Sequence, residues 1–296
     1  MNRHKTMVSL FPASFTRTRR PGDILLGLAG GLACAVTLLA LGCILWDLVR
    51  LGLPHLSWSF LTGEVTENGR SGGIGPILIS TLMILGFALA FVIPPALGCA
   101  IWLSEMVRQG SGAARIITGS VDLLASVPSI VFGLFGMSFF CQTLGLGFSI
   151  LSGSLTLACM ILPLLVRTTL SALQSLPADL RPTASALGLS GATMIGKILL
   201  PAALPGILVG ITLGVGRALA ETAALIFTSG YATRWPESPS DSGRALSVHI
   251  YDLAMNIPNG SGAASASALV LLVLIVLINT TAASLAARWH RRHSAS

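Results

Sequence analysis

Arg217 and Glu221 stand four residues apart in a stretch, 198–228, whose other members are almost all apolar or small. A charge at the centre of a bilayer costs about 2.5–3.5 kcal/mol or more, so such residues face a bundle interior or a water path. A guanidinium is a planar fork of donors that fits two oxygens of a tetrahedral oxyanion, and a nearby carboxylate can hold that fork or accept a proton borne by the anion. The same two groups can equally form a buried ion pair that only fixes helix packing. Residue type and spacing leave both readings open.

The element that must position them is a membrane helix. On a wheel of about 100° per residue, with Gly206 at zero, Arg217 falls near 20°, Gly210 near 40°, Glu221 near 60° and Gly214 near 80°. The charged pair is therefore expected to share a face with the glycines, which let another helix approach closely or leave room for cargo. Arg217 lies roughly 24 Å along the helix from Pro201, past the midplane.

The rest of the chain agrees with a membrane setting. It has 296 residues, 53% hydrophobic and 10% charged, with a mean hydropathy of +0.82. Soluble domains carry about 25% charged residues, so the chain reads as an all-α integral membrane protein. The net charge of +7 does not indicate nucleic acid, because the basic residues cluster at the ends and in short loops, as membrane topology requires. The five cysteines sit in or beside apolar runs without C-x-x-C spacing or neighbouring histidines, so they read as small buried hydrophobes with no metal or other cofactor implied. The first apolar run is too long for a signal-peptide core and is read as a retained span.

Six transmembrane helices are expected, at 24–46, 74–103, 123–140, 150–166, the stretch carrying Arg217, and 263–287. With the N-terminus inside, 13 of the 18 Lys and Arg fall in the cytoplasm: five in the tail, Arg108 and Arg115, then Arg167, Arg181 and Lys197, and three after Ala287. Arg50, Arg70, Arg234 and Arg244 lie outside, so the N-in/C-in orientation is strongly favoured. Trp46, Trp102 and Trp289 then fall at span ends as interfacial aromatics. Pro94, Pro95 and Pro128 remove backbone donors inside spans and predict kinks or a moving gate. This divides the chain into a basic cytoplasmic tail (1–22), a first helix with its outer loop (23–73), a core region holding the other five spans (74–288) and a short cytoplasmic tail (289–296). The outer loop 229–262 combines Pro236, Pro239 and Pro258 with an apolar stretch, which predicts a solvated loop, part of a landing surface for a soluble partner, or a segment that dips back toward the pathway.

The cytoplasmic segment between Arg167 and Lys197 is too long for a tight helix hairpin. Short helices there would make a docking knob. Within it, Gly188, nine residues, then Ile198-x-Leu200-Pro201 resembles the G-x9-I-x-L-P part of the EAA loop of ABC importer permeases, with Ala184 matching the second alanine. Thr183 stands at the first alanine and Pro182 at the glutamate. Residues 122–134 (DLLASVPSIVFGL) and 216–223 (GRALAETA) resemble signatures of phosphate-specific ABC permeases, and 243–254 (GRALSVHIYDLA) is similar to the last outer loop of their A-type subunit.

That resemblance, over roughly 72–287, implies a MetI-like ABC importer permease fold in a bacterial inner membrane. The implied partners are a related C-type permease subunit forming a heterodimer, two cytoplasmic ATPase subunits and a periplasmic phosphate-binding protein. It implies that Ala184, Gly188, Ile198, Leu200 and Pro201, in the coupling loop 176–201, dock the ATPase, and that Arg217 and Glu221 line the phosphate pathway. A permease for another oxyanion or a phosphorus compound is the nearest alternative, and an ion-gradient secondary transporter is one of a different class.

Two further motifs fail on chemistry. Residues 191–198 (GATMIGKI) nearly spell a phosphate-binding P-loop, but Ile198 stands where Ser or Thr must hold magnesium, so the chain is not expected to bind ATP or to act as an enzyme. Residues 188–191 (GLSG) look like a serine-protease motif, yet His4, His55, His249, His290 and His293 all lie in tails or loops, so the serine has no base within a span.

Overall fold

The computed structural model describes residues 21–293 except Gln109, with side chains described for 25–284 apart from that residue. The expectations for the tail before residue 21 lie outside the described residues, and that for Trp289 outside the described side chains. The chain divides between Asp47 and Leu48 into two units. The first holds most of α1 (Pro21–Gly52), whose side chains from Leu25 to Asp47, such as Leu25, Leu32 and Leu39, are exposed. A continuous apolar helix satisfies its own backbone and suits lipid.

In the second unit a short helix α2 (Trp58–Thr62) and a two-residue hairpin, β1 (Val65–Thr66) with β2 (Ser71–Gly72), lead into α3 (Gly75–Ile101). The helix α3 runs through Pro94 and Pro95 and ends in a π-helical turn, Trp102–Met106. Next come α4 (Gly112–Ser126) and α5 (Ser129–Gly136), the latter extended by a π-helical stretch, Met137–Thr143. Then α6 (Ile150–Gln174) is followed by α7 (Leu180–Ala186) and α8 (Gly191–Met194), which passes through a π-helical turn into α9 (Leu200–Leu219). A single turn, α10 (Ala223–Ile226), the half-buried helix α11 (Leu246–Met255) and α12 (Ser261–His293) complete the fold.

The core is α3 against α6, α6 against α9 and α9 against α12. Ile84, Val92, Ile161, Leu165, Leu173 and Ile207 meet there, each no more than 4% exposed. In lipid the helices gain little by leaving one apolar medium for another, so close van der Waals packing holds them, and small residues permit it. Gly206, Gly210 and Gly214 do this: a Cβ added at each would come within 2.9 Å or less of Ala172, Thr168 or Ile161 of α6.

The third span is not the single helix expected over 123–140. It breaks between α4 and α5 with a bend of 98°. Pro128 has no N–H to continue the ladder and pushes Val127 into extended backbone (φ −68°, ψ 130°). With this bent pair counted as one, the described chain has six candidate spans. The fourth is longer than expected, so Arg167 sits within α6 instead of in the loop after it. Gly188, at φ +71°, makes the turn between α7 and α8.

Candidate functional site

Arg217 lies in the last turn of α9 and is exposed. Its neighbours on that side, Val209 and Leu213, are 57% and 53% exposed. Among the described residues no carboxylate pairs with it. The glycines meanwhile are covered by α6. Arg217 is thus exposed where the glycines are covered, and the stripe serves helix packing.

Glu221 does not continue the helix. The chain leaves helical geometry after Leu219, with Ala220 as its last cap, so the one-turn spacing between the two charges does not apply. Instead Glu221 Oε1 accepts a hydrogen bond from the Ala224 backbone N–H (3.1 Å), which satisfies an orphan donor at the start of α10. The Glu221 backbone carbonyl accepts from Ser247 Oγ (2.5 Å). Ser247 belongs to α11, and the Leu246 N–H donates to Thr81 Oγ1 of α3 (2.9 Å). The outer segment thus folds back onto the bundle and secures the break just after Arg217. Over α11 the segment is therefore packed and not a solvated loop: Leu246, Val248, His249 and Leu253 are fully buried.

Electrostatics in this outer segment are concentrated on Arg244, His249 and Asp252. Arg244 Nη1 lies 3.2 Å from an Asp252 carboxylate oxygen, and its guanidinium stands 5.5 Å from the Tyr231 ring centroid. Both ring nitrogens of His249 are buried without a hydrogen-bond partner among the described residues. Burial, aided by the Arg244 charge, lowers the His249 pKa from 6.5 to about 4, so the ring is neutral.

The segment 176–201 lies toward the opposite end of α9 from Arg217 and contains α7 and α8, the short helices expected there. Ala184 is buried (1% exposed), Gly188 is exposed at the turn, and Ile198, Leu200 and Pro201 are half-buried where the segment enters α9. Leu187 (72%) and Leu189 (37%) leave an apolar tip exposed. Ser190 starts α8, its hydroxyl accepting from the Thr193 N–H (3.3 Å).

Sequence reasoning missed four ion pairs, of which Arg70 with Glu67 is local to the turn between β1 and β2. Of the other three, Arg181 pairs with Glu105, Arg167 with Asp122, and Arg244 with Asp252. The first two of these join residues far apart in the chain, and no local spacing signals them. The third, with partners eight positions apart, was hidden because the loop was not read as helical. Among the described residues no group of three metal-ligating side chains occurs.

The family described as "Binding-protein-dependent transport system inner membrane component" matches residues 96–292. The "Probable ABC transporter permease protein YqgI" of Bacillus subtilis is 31% identical, covering 89% of this chain and 92% of that one. The "Phosphate transport system permease protein PstA homolog" of Mycoplasma pneumoniae is 40% identical over 74% of this chain; the match spans only 34% of that longer protein. Among solved structures, a bacterial alginate ABC transporter in complex with an alginate-bound periplasmic protein contains a chain that superposes with a TM-score of 0.67 at 17% identity, covering 90% of this chain and 95% of that one. The all-α MetI-like permease fold expected from the sequence is thus the fold observed. With the family matched across the bundle, from late α3 through α12, this multi-pass membrane protein belongs to the binding-protein-dependent transport system inner membrane components.

Proposed function

We propose that this chain is the A-type permease subunit of an ATP-driven importer that moves inorganic phosphate across the bacterial inner membrane into the cytoplasm. The observation that carries the reading is Arg217, a guanidinium exposed on a span surface with no carboxylate pairing it within the described chain. Lipid is a poor neighbour for such a group. A related C-type permease subunit opposite it would enclose a path for an oxyanion, and the fork suits phosphate. The 40% identity to a phosphate permease homologue supports that cargo over other oxyanions.

In this reading one of two cytoplasmic ATPase subunits docks on 176–201, where Ala184, Gly188, Ile198, Leu200 and Pro201 form and root the knob, and a periplasmic phosphate-binding protein delivers cargo from the other side. Glu221 fixes the backbone just past Arg217. The test is uptake of labelled phosphate at low concentration in cells lacking their own high-affinity importer, supplied with this chain and its genomic neighbours, with and without Arg217→Ala. Uptake that ignores excess sulfate and collapses in the variant, at unchanged complex levels, supports the assignment. No phosphate uptake from an assembled complex overturns the cargo and points to another oxyanion or a phosphorus compound.

A further inference from the structure

The deepest-lying charge near the coupling segment is Glu105, in the π-helical turn that ends α3; its side chain is 6% exposed, against 31% for its partner Arg181. Arg181 Nε donates to Glu105 Oε2 (3.0 Å) and Nη2 to Oε1 (2.7 Å), while Nη2 also donates to the Leu173 carbonyl at the end of α6 (3.2 Å). Ser104 Oγ donates to Glu105 Oε1 (2.7 Å). One guanidinium therefore ties α7 to both α3 and α6. A bidentate fork fixes orientation as well as distance, which a point charge does not. Pro182 occupies the first turn of α7, where its missing N–H costs nothing and its fixed φ stiffens the turn that carries Arg181.

The covalent route between α6 and α7 is softer, because residues 175–179 leave helical geometry before α7 begins. Among the described residues the Arg181–Glu105 pair is the one ion pair joining 176–201 to the remainder of the bundle. We propose that it is a coupling strut: Arg181 and Glu105 are positioning residues that carry displacement of α7 into α3 and α6, so that ATPase motion becomes movement of the spans. This rests on the docking role assigned above to 176–201.

The experiment uses the complete complex, this chain with its genomic neighbours, in proteoliposomes, recording ATP hydrolysis and labelled inorganic phosphate uptake together. Glu105→Gln and Arg181→Lys are expected to keep the ATPase subunits bound and hydrolysing while phosphate moved per ATP falls at least about tenfold, with the exchange Glu105→Arg/Arg181→Glu restoring much of the ratio. Arg181→Lys keeps the charge and is the variant to rely on if Glu105→Gln does not assemble. A wild-type ratio in an assembled Arg181→Lys complex, or hydrolysis and transport falling in equal proportion without rescue by the exchange, overturns the strut. A wild-type complex that hydrolyses ATP but moves no phosphate is instead the failure of the transport assignment.

Discussion

Arg217 and Glu221 make opposite demands on a substitution. Arg217 offers a charge and a fork, and no side chain of the described chain uses either as an ion-pair partner. Arg217→Ala is expected to lower phosphate uptake by about a hundredfold or more, and Arg217→Lys, which restores charge without the fork, by about tenfold, with complex levels unchanged. Glu221 uses one carboxylate oxygen to accept the Ala224 N–H. Glutamine presents the same acceptor, so Glu221→Gln is expected to leave uptake within about twofold of the wild type, whereas Glu221→Ala loses the bond. Uptake in Glu221→Gln as low as in Arg217→Ala would show that the carboxylate charge itself belongs to the pathway.

At the scale of elements, the glycines of α9 and the buried face of α11 set the stability. A Cβ at Gly210 would collide with the hydroxyl of Thr168 on α6, so Gly210→Ala is expected to cost about 1–3 kcal/mol by overpacking, with Thr168→Ala relieving much of it; melting of the purified complex in detergent checks both. Within α11, His249 is held neutral with its pKa lowered from 6.5 to about 4. The unfolded segment binds the proton first as pH falls, so the stability is fully present above about 6.5, declines below it, and is reduced by on the order of 3 kcal/mol near pH 4. His249→Phe should flatten that slope, read as protection of α11 amides at pH 7 and pH 5; an unchanged slope would assign it to other groups. The spans themselves were legible in the sequence because long apolar runs need no partner to be recognised. What was not legible depends on tertiary geometry. Apolar composition does not reveal that Pro128 turns the chain through 98°, and a wheel drawn past Leu219 assumes a helix that Ser247 and Ala224 hold in another shape.

For the whole molecule, the two candidate regions lie at opposite ends of one span: the coupling segment where α9 begins and Arg217 where it finishes. Import requires the first to face the ATPases and the second to lie nearer the source of cargo, so the reading holds in only one orientation. The charge distribution selects that orientation independently: with Arg167 placed in α6, 12 basic residues remain assigned inside against four outside. Ser190, at the tip of the coupling segment, and Ser240, in the outer loop, are both exposed and report it directly. In a background with the five native cysteines replaced, a membrane-impermeant maleimide added to intact spheroplasts is expected to label Ser240→Cys and to spare Ser190→Cys until the membrane is opened. The reverse pattern would place the knob outside, beyond the reach of any cytoplasmic ATPase. It would remove the import mechanism and the strut together while leaving the fold intact, because a helical bundle satisfies its backbone equally well in either orientation.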